Sequence, residues 1–273
     1  MAINNQQSIM IIYGINPVLE ALRGGRVRRV RVGPRADRRV ADVISLAREN
    51  GVNVERVDAA AIDRAARGGV HQGIVAELEP PRDHSLRELV EAARPSPPLI
   101  VVLDGIEDPH NVGAIVRTVD AAGAHGIVRQ ARHAASLDGV AAKASAGAVA
   151  RVHVATEVNI ARAVEELKTL GVWTIGLAGD ASESYDVVDF TLPTAIVLGA
   201  EGSGLRRLVR ERCDRVVSIP MHGSVDSLNV SVAAGVVLFE AVRQRQKVKG
   251  HRGKVSTQKP TSSGKKHGND VNI

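Results

Sequence analysis

The chain has 273 residues, 44% of them hydrophobic and 24% charged, with a net charge of +6. That balance describes one large or two modest domains able to bury a core without metal or disulfide staples. The single cysteine, Cys213, excludes an intramolecular disulfide and a cysteine zinc cage; no apolar run approaches the ~18 residues of a membrane span, so a cytoplasmic protein is expected.

The first 80 residues alternate helix and strand signals. NPVLEALRGG predicts a helix with Asn16 as N-cap, Pro17 at its first position and Gly24 beyond its end. VRRVRVG predicts a strand. DRRVADVISLARENG sets Val40, Val43, Ile44 and Ala47 on one helical face, with Asp37 as cap and Gly51 as stop. VNVERV, a short helix from Asp58 and GIVAEL complete a small α/β unit. This unit (1–80) holds 12 Arg and no Lys against 9 acids. Its arginines crowd together as Arg23, Arg26, Arg28, Arg29, Arg31, Arg35, Arg38 and Arg39. A polyanion is the obvious partner for such a stretch, and a solvated charged face is the competing reading. Five aromatic residues in the whole chain are too few for a base-stacking sheet, so nucleic acid would be held through arginine, backbone and shape.

Residues 81–98 form a proline-bracketed linker around SLRELVEAAR, where Ser85 and Glu88 have capping-box spacing. PLIVVLDG then opens a second domain, 99–246, as a continuous apolar strand of the kind buried in a parallel sheet. Further strands are expected at VHVA, VWTIGLAG, TAIVLGA and RVVSIP. Helices are expected at VGAIVRTVDAAG, NIARAVEELKTLG and LNVSVAAGVVLFEAVRQRQ. The alternation predicts an α/β fold with a mostly parallel sheet covered on both faces. This domain carries 14 basic and 17 acidic residues, whereas the tail, 247–273, has 7 basic residues and one acid. The tail lacks apolar periodicity and is expected to be disordered.

A Walker loop, a G-x-G-x-x-G turn, H-E-x-x-H and G-x-S-x-G are all missing, and the nine histidines are scattered. No metal centre or ordinary dinucleotide site is expected. Three segments at strand ends carry more polar residues than packing needs. In DPHNVGAIVRTVDAAG, residues 108–123, the helix buries Val112, Ile115, Val116 and Val119, and Asn111 stands where an N-cap belongs. Arg117 lies off that stripe; its long stem leans toward the helix N-terminus, where α/β sheets place ligands, or else it is a solvated charge. LGAEGSGL, residues 198–205, is either a loop where backbone approaches something closely or a plain strand-to-helix turn with Glu201 in the first helical turn. In SIPMHGSVDSLNVSVAAG, Ser227, Asn229 and Ser231 gather at the start of an apolar helix, where capping is the simplest role.

In this order and at this end of the chain, the three segments resemble the three motifs of the SpoU (TrmH-like) RNA 2′-O-ribose methyltransferases, of the SPOUT superfamily. YGINPVLEAL and GVHQGIVAEL resemble the substrate-binding domain that precedes the catalytic domain in that family, so the likeness spans about residues 10–246. SVDSLNVSVA in particular resembles the bacterial 23S ribosomal RNA guanosine-2′-O-methyltransferase branch, which modifies a guanosine in the peptidyl-transferase loop. The resemblance implies an α/β domain with a trefoil knot, S-adenosylmethionine as cofactor without a metal, a homodimer, and ribosomal RNA or a precursor large ribosomal subunit as partner. It implies cofactor loops at Gly199, Ile219 and Leu228. It implies a ribose site formed by Asn111, Arg117, Glu201, Ser227 and Asn229, with the arginine as base helped by substrate phosphate. Because a guanidinium gives up protons poorly, Arg117 is expected instead to clamp the 3′-phosphate and stabilise a developing alkoxide. Transfer RNA or another ribosomal site as substrate stays open, as does a non-catalytic ribosome-assembly role; cofactor binding separates the last from the enzymes.

Overall fold

The computed structural model describes residues 9–34, 38–79 and 82–255. The first unit runs β1 (Met10–Tyr13), α1 (Ile15–Arg23), β2 (Val27–Val32), α2 (Arg38–Glu49), β3 (Asn53–Arg56), α3 (Ala59–Ala66) and β4 (Ile74–Leu78). Its sheet has the order β1-β4-β2-β3, with β4 antiparallel to both β1 and β2 and β3 parallel to β2. Val30 and Val32 of β2 are fully buried while Arg29 and Arg31 alternate onto the other face.

The second unit continues with α4 (Leu86–Ala92), β5 (Leu99–Asp104), α5 (Pro109–Ala122), β6 (Gly126–Gln130), α6 (Gly139–Ala144), β7 (Val154–Glu157), α7 (Ile160–Thr169) and β8 (Trp173–Leu177). It closes with β9 (Glu183–Ser184), β10 (Thr194–Gly199), α8 (Arg207–Arg212), β11 (Arg215–Ser218) and α9 (Val230–Val255). The strands make one parallel sheet in the order β7-β6-β5-β10-β8-β11-β9. β5 is buried at all six positions, as its unbroken apolar run requires. The strand order reverses at β5, and the crevice at the carboxyl ends of β5 and β10 is where such sheets bind ligands. α5 packs against α9 on one face of the sheet. Among the described residues, no helix is long and apolar enough to cross a membrane.

Several local expectations change. α1 begins at Ile15 with Gly14 as N-cap; the Ile15 amide donates to Gln72 Oε1 at 3.0 Å, so a distant side chain takes the place expected of Asn16. The N-cap of α5 is Asp108, whose side chain accepts from the His110 amide, with Pro109 next; Asn111 lies inside the first turn instead of capping it. α4 is no free linker helix. It carries the capping box of Ser85 and Glu88, and its Leu86 and Leu89 are buried in one cluster with Ile100, Val102 and Val128 of the parallel sheet. α9 runs on to Val255, past the boundary expected at 246, because Gln, Arg and Lys sustain a helix and nothing stops it there. The remaining tail, with the expected cap Asp37 and with Arg35, lies outside the described residues.

Candidate active site

Three loops converge at the carboxyl ends of β5, β10 and β11. The loop after β10 is a tight turn: Ala200 and Gly204 exchange backbone hydrogen bonds of 3.1 and 2.9 Å, and Gly202 and Gly204 have φ of 77° and 65°, the left-handed region that favours glycine. At Gly199 a Cβ would stand 2.1 Å from the carbonyl carbon of Gly204, so glycine is required for the turn to fold back on its own strand. The far end of the loop is fastened to β5. Asp104, wholly buried, accepts from the Arg206 amide at 2.8 Å and from its Nε at 2.6 Å. Arg206 Nη2 also reaches Gln130 Oε1 at 2.9 Å, tying β6 into the same clamp.

Asn229 joins all three segments. Its Nδ2 donates to Asn111 Oδ1 at 2.9 Å and to Glu201 Oε1 at 2.6 Å. Its Oδ1 accepts from the Ser231 amide at 2.9 Å and from Ser231 Oγ at 2.6 Å, which caps α9. Capping and the polar cluster are therefore one arrangement: the cap fixes which end of the amide faces Asn111 and Glu201. Asn111 is only 6% exposed, so its side chain is held rather than solvated.

Beside this cluster lies a cleft of about 510 Å³ whose walls include Gly199, Ile219 and Leu228, together with Glu201, Ser227 and Asn229. Leu177, Leu198 and Val217 give it an apolar floor, and Asp226 adds a second carboxylate. Its size is that of a small-molecule site. Asn111, Glu201 and Asn229 are thus brought into contact, and Ser227 onto the same wall. Arg117 is not drawn into this cluster: it is exposed on α5, with no hydrogen bond or ion pair among the described residues. Among the described residues, no group of three or more His, Cys, Asp or Glu side chains is placed to hold a metal ion. Burial pushes the Cys213 thiol up to about 12, which leaves it protonated and unreactive.

The arginine cluster of the first unit is less free than its sequence suggests. Arg31 pairs with Glu77, Arg29 lies 3.3 Å from Glu55 and 3.9 Å from Glu77, and Arg28 lies 3.8 Å from Glu79. Arg23 pairs with Glu20, and Arg26 Nη1 donates to the Ala150 carbonyl at 2.8 Å, where burial lowers its pKa. Arg39 donates to Asn16 Oδ1 at 3.5 Å, and the side chain of Arg38 lies outside the described set. Arg56, Arg64 and Arg67 of the first unit and Arg132 of the second are among those outside the predicted cluster that are exposed and carry no ion pair among the described residues. For Arg29 and Arg31 it is the strand register, which sets them opposite Glu77 and Glu55, that takes up their charge. The clamp of Asp104 and Arg206 was likewise hidden in the sequence.

Two family descriptions match this chain. "RNA 2'-O ribose methyltransferase substrate binding" covers residues 11–84, and "SpoU rRNA Methylase family" covers residues 98–239. A 23S rRNA (guanosine-2'-O-)-methyltransferase RlmB of Pseudomonas putida is 44% identical over 241 residues, 86% of this chain and 96% of that one. An uncharacterized tRNA/rRNA methyltransferase of Mycolicibacterium gilvum is 44% identical over 243 residues, 86% of this chain and 77% of that one. Among solved structures, the SpoU methyltransferase AviRb from Streptomyces viridochromogenes in complex with AdoMet superposes with a TM-score of 0.71 at 27% identity, covering 87% of this chain and 90% of that one.

Proposed function

The chain belongs to the SpoU rRNA methylase family, and we propose that it transfers a methyl group from S-adenosylmethionine to the ribose 2′-hydroxyl of a guanosine in 23S ribosomal RNA. The observation that carries this reading is the double hydrogen bond of Asn229 to Asn111 and Glu201 at the mouth of the cleft. It joins all three motif segments at one point of the sheet.

The cleft fits the cofactor. Its glycine-rich wall keeps side chains out, its apolar floor suits a flat base, and Glu201 and Asp226 offer acceptors for a cationic ligand. Gly199, Ile219 and Leu228 would hold the group, which supplies a methyl carbon bound to a sulfonium sulfur. What the chain adds is position and charge. Asn111, Ser227 and Asn229 orient the ribose, and Glu201 keeps the Asn229 amide in place. Arg117, without a hydrogen bond or ion pair among the described residues, binds substrate phosphate and stabilises negative charge growing on the 2′-oxygen. It is a poor proton acceptor, since a guanidinium has a pKa above ~12.

Residues 1–80 form the RNA-binding part of this reading, and a trefoil knot of the segment around β10 and α9 belongs to it as well. A homodimer is also part of it: α9 leaves Val232 and Phe239 each 50% exposed, seven residues apart on one helical face, a stripe suited to a second copy. Ribosomal RNA, free or in a precursor large subunit, is the partner. The test is mass-spectrometric mapping of ribose methylation in ribosomal RNA from cells with and without the protein. One 2′-O-methylguanosine is expected to vanish from 23S RNA in the deletion. An unchanged map, or a loss confined to transfer RNA, overturns the assignment.

A further inference from the structure

A second cavity, about 350 Å³, lies on the seam between the two units. One wall comes from the RNA-binding unit: Ile11 and Tyr13 of β1, Ala66 of α3, and Arg67. The other comes from the catalytic unit: Glu107 of the β5–α5 loop, Pro109 at the start of α5, and Asp138, Gly139 and Val140 at the start of α6. The seam is held shut beside it. Lys143 of α6 donates to the Val70 carbonyl at 3.0 Å and places its ammonium 5.7 Å from the Tyr13 ring centre. The β5–α5 loop that lines this cavity leads directly into the turn that carries Asn111, so the cavity and the catalytic cluster share one loop.

Two features point to an occupant. Asp138 is the N-cap residue of α6, yet its side chain makes no capping hydrogen bond. Its backbone is engaged, the amide donating to Ser136 Oγ at 3.4 Å and the carbonyl accepting from the Ala141 amide at 3.1 Å, whereas the carboxylate makes no hydrogen bond among the described residues and meets Arg129 through charge alone. An aspartate at such a position usually satisfies the helix. Here both oxygens are left as hydrogen-bond acceptors on the wall of a largely apolar cavity, which Glu107, Ser136 and Arg67 also line. The second feature is charge. Arg67, with φ of 49°, and Arg132, on the loop that leads to this wall, are exposed cations with no ion pair among the described residues. A largely apolar cavity, the Asp138 carboxylate with acceptors that no hydrogen bond among the described residues uses, and the exposed cations Arg67 on its wall and Arg132 on the adjoining loop match one chemistry: a base with two adjacent donors on its edge, attached to a phosphate chain.

We propose that this interdomain cavity receives the guanine base of the nucleotide to be methylated, with the Asp138 carboxylate accepting from its N1–H and 2-amino groups and Arg67 and Arg132 meeting the flanking phosphates. The inference rests on the 2′-O-methylation reading above and adds the source of base selectivity. Guanine alone among the four bases offers those two neighbouring donors; adenine places an acceptor at N1. Asp138 is in this sense a positioning and specificity residue that touches the base and not the reacting atoms.

The experiment uses the full chain and an RNA fragment carrying the mapped site, made with guanosine, inosine or adenosine at that nucleotide. Inosine lacks only the 2-amino group. Wild-type protein is expected to favour guanosine over inosine at least tenfold in kcat/KM, the loss of one hydrogen bond to a charged group, and to reject adenosine more strongly. In Asp138→Asn, which keeps shape and capping ability, the guanosine to inosine ratio is expected to fall within twofold, with S-adenosylmethionine affinity and melting temperature unchanged. Equal rates on guanosine and inosine by wild type overturn the cavity assignment and leave the methyltransferase reading standing; that arm needs no variant to fold. A wild-type ratio retained in Asp138→Asn overturns the role of Asp138. No transfer to any of the three RNAs overturns the methyltransferase reading itself, and this inference with it.

Discussion

Asp104 and Arg206 lie 102 positions apart, yet the buried carboxylate at the end of β5 accepts from both the backbone amide and the side chain of the arginine that ends the β10 loop. The pair sets the height of the loop that carries Glu201, and so the geometry of the Asn229 cluster. Removing the carboxylate strands a cation and a backbone donor together. Asp104→Ala is expected to cost about 2–3 kcal/mol, less than for a fully buried pair because Arg206 is half exposed. Chemical denaturation checks the stability, and calorimetry is expected to show weakened cofactor binding in the same variant. Unchanged values for both would mean that the loop is held by its turn alone.

A Cβ at Gly199 would collide with the backbone of Gly204 and the amide of Leu205, atoms that cannot swing aside. Gly199→Val therefore does not simply plug the cleft: it is expected to lower the melting temperature by several degrees as well as abolish cofactor binding. The cleaner probe is Leu228→Trp, a half-buried cleft-wall position on a loop. That variant is expected to keep the wild-type melting temperature and lose affinity for S-adenosylmethionine at least tenfold. Full affinity in folded Leu228→Trp would place the cofactor elsewhere.

What could be read from the sequence was whatever depended on periodicity. Val112, Ile115, Val116 and Val119 are all buried as their spacing requires, and the apolar run Leu99 to Leu103 of β5 is an interior strand between β6 and β10. Five-residue β6, GIVRQ, escaped because so short a run beside glycine and histidine carries no pattern of its own. Caps were misjudged where two candidates competed. Asp108 before Pro109 outranks Asn111, and Gln72 reaches Ile15 from a loop far along the chain. The candidate site was legible as three motifs, but the contact that joins them, Asn229 to Asn111, spans 118 positions and exists only once the sheet is assembled.

The arginines divide into two classes with different expected behaviour. Glu77, 8% exposed, is flanked by Arg29 and Arg31, so replacing both arginines with Ala leaves a nearly buried carboxylate uncompensated and is expected to destabilise the first unit. Neutralising Arg56, Arg64 and Arg132 is expected to leave stability within about 0.5 kcal/mol, as for ordinary surface changes. It is expected instead to flatten the salt dependence of RNA binding, by about 0.7–0.9 in log–log slope for each phosphate that is no longer neutralised. Filter binding across a salt series and thermal melts separate the two classes. A slope that responds only to Arg29 and Arg31 would reverse them.

His153 and His84 meet edge to face, with ring centres 4.8 Å apart, where the strand β7 pairs with the segment before α4. Burial first, then His84 and Arg26, hold the His153 pKa below its ordinary 6.5. A depressed base is neutral in the folded chain while its unfolded counterpart takes up a proton. Stability is therefore complete above pH 6.5 and falls as the pH drops from there to the lower folded value, below which the loss levels off. Denaturation midpoints measured from about pH 8 to about pH 5 are expected to show that decline, and His153→Gln is expected to remove part of it. An identical pH profile in the variant would assign the acid sensitivity to other groups.

The acceptor atom is the last prediction. Methylation of a base carbon calls for a nucleophile to activate the ring, and the one thiol in the chain is held protonated by a pKa of about 12. The Asn111, Asn229 and Glu201 cluster offers hydrogen bonds to a hydroxyl, and Arg117 stands exposed with its donors unused among the described residues. Because Arg117 supports neither the core nor the cleft wall, Arg117→Ala is expected to keep the melting temperature and the affinity for S-adenosylmethionine. It is expected to lose about 3–4 kcal/mol of transition-state stabilisation, a factor of hundreds in rate. The matching substrate is an RNA with a single 2′-deoxy nucleotide at the mapped site: with no hydroxyl to attack, it is expected to bind as tightly as the normal RNA and accept no methyl group. Methyl transfer to that RNA would move the reaction from the ribose to the base, and a normal rate in Arg117→Ala would remove the arginine from it.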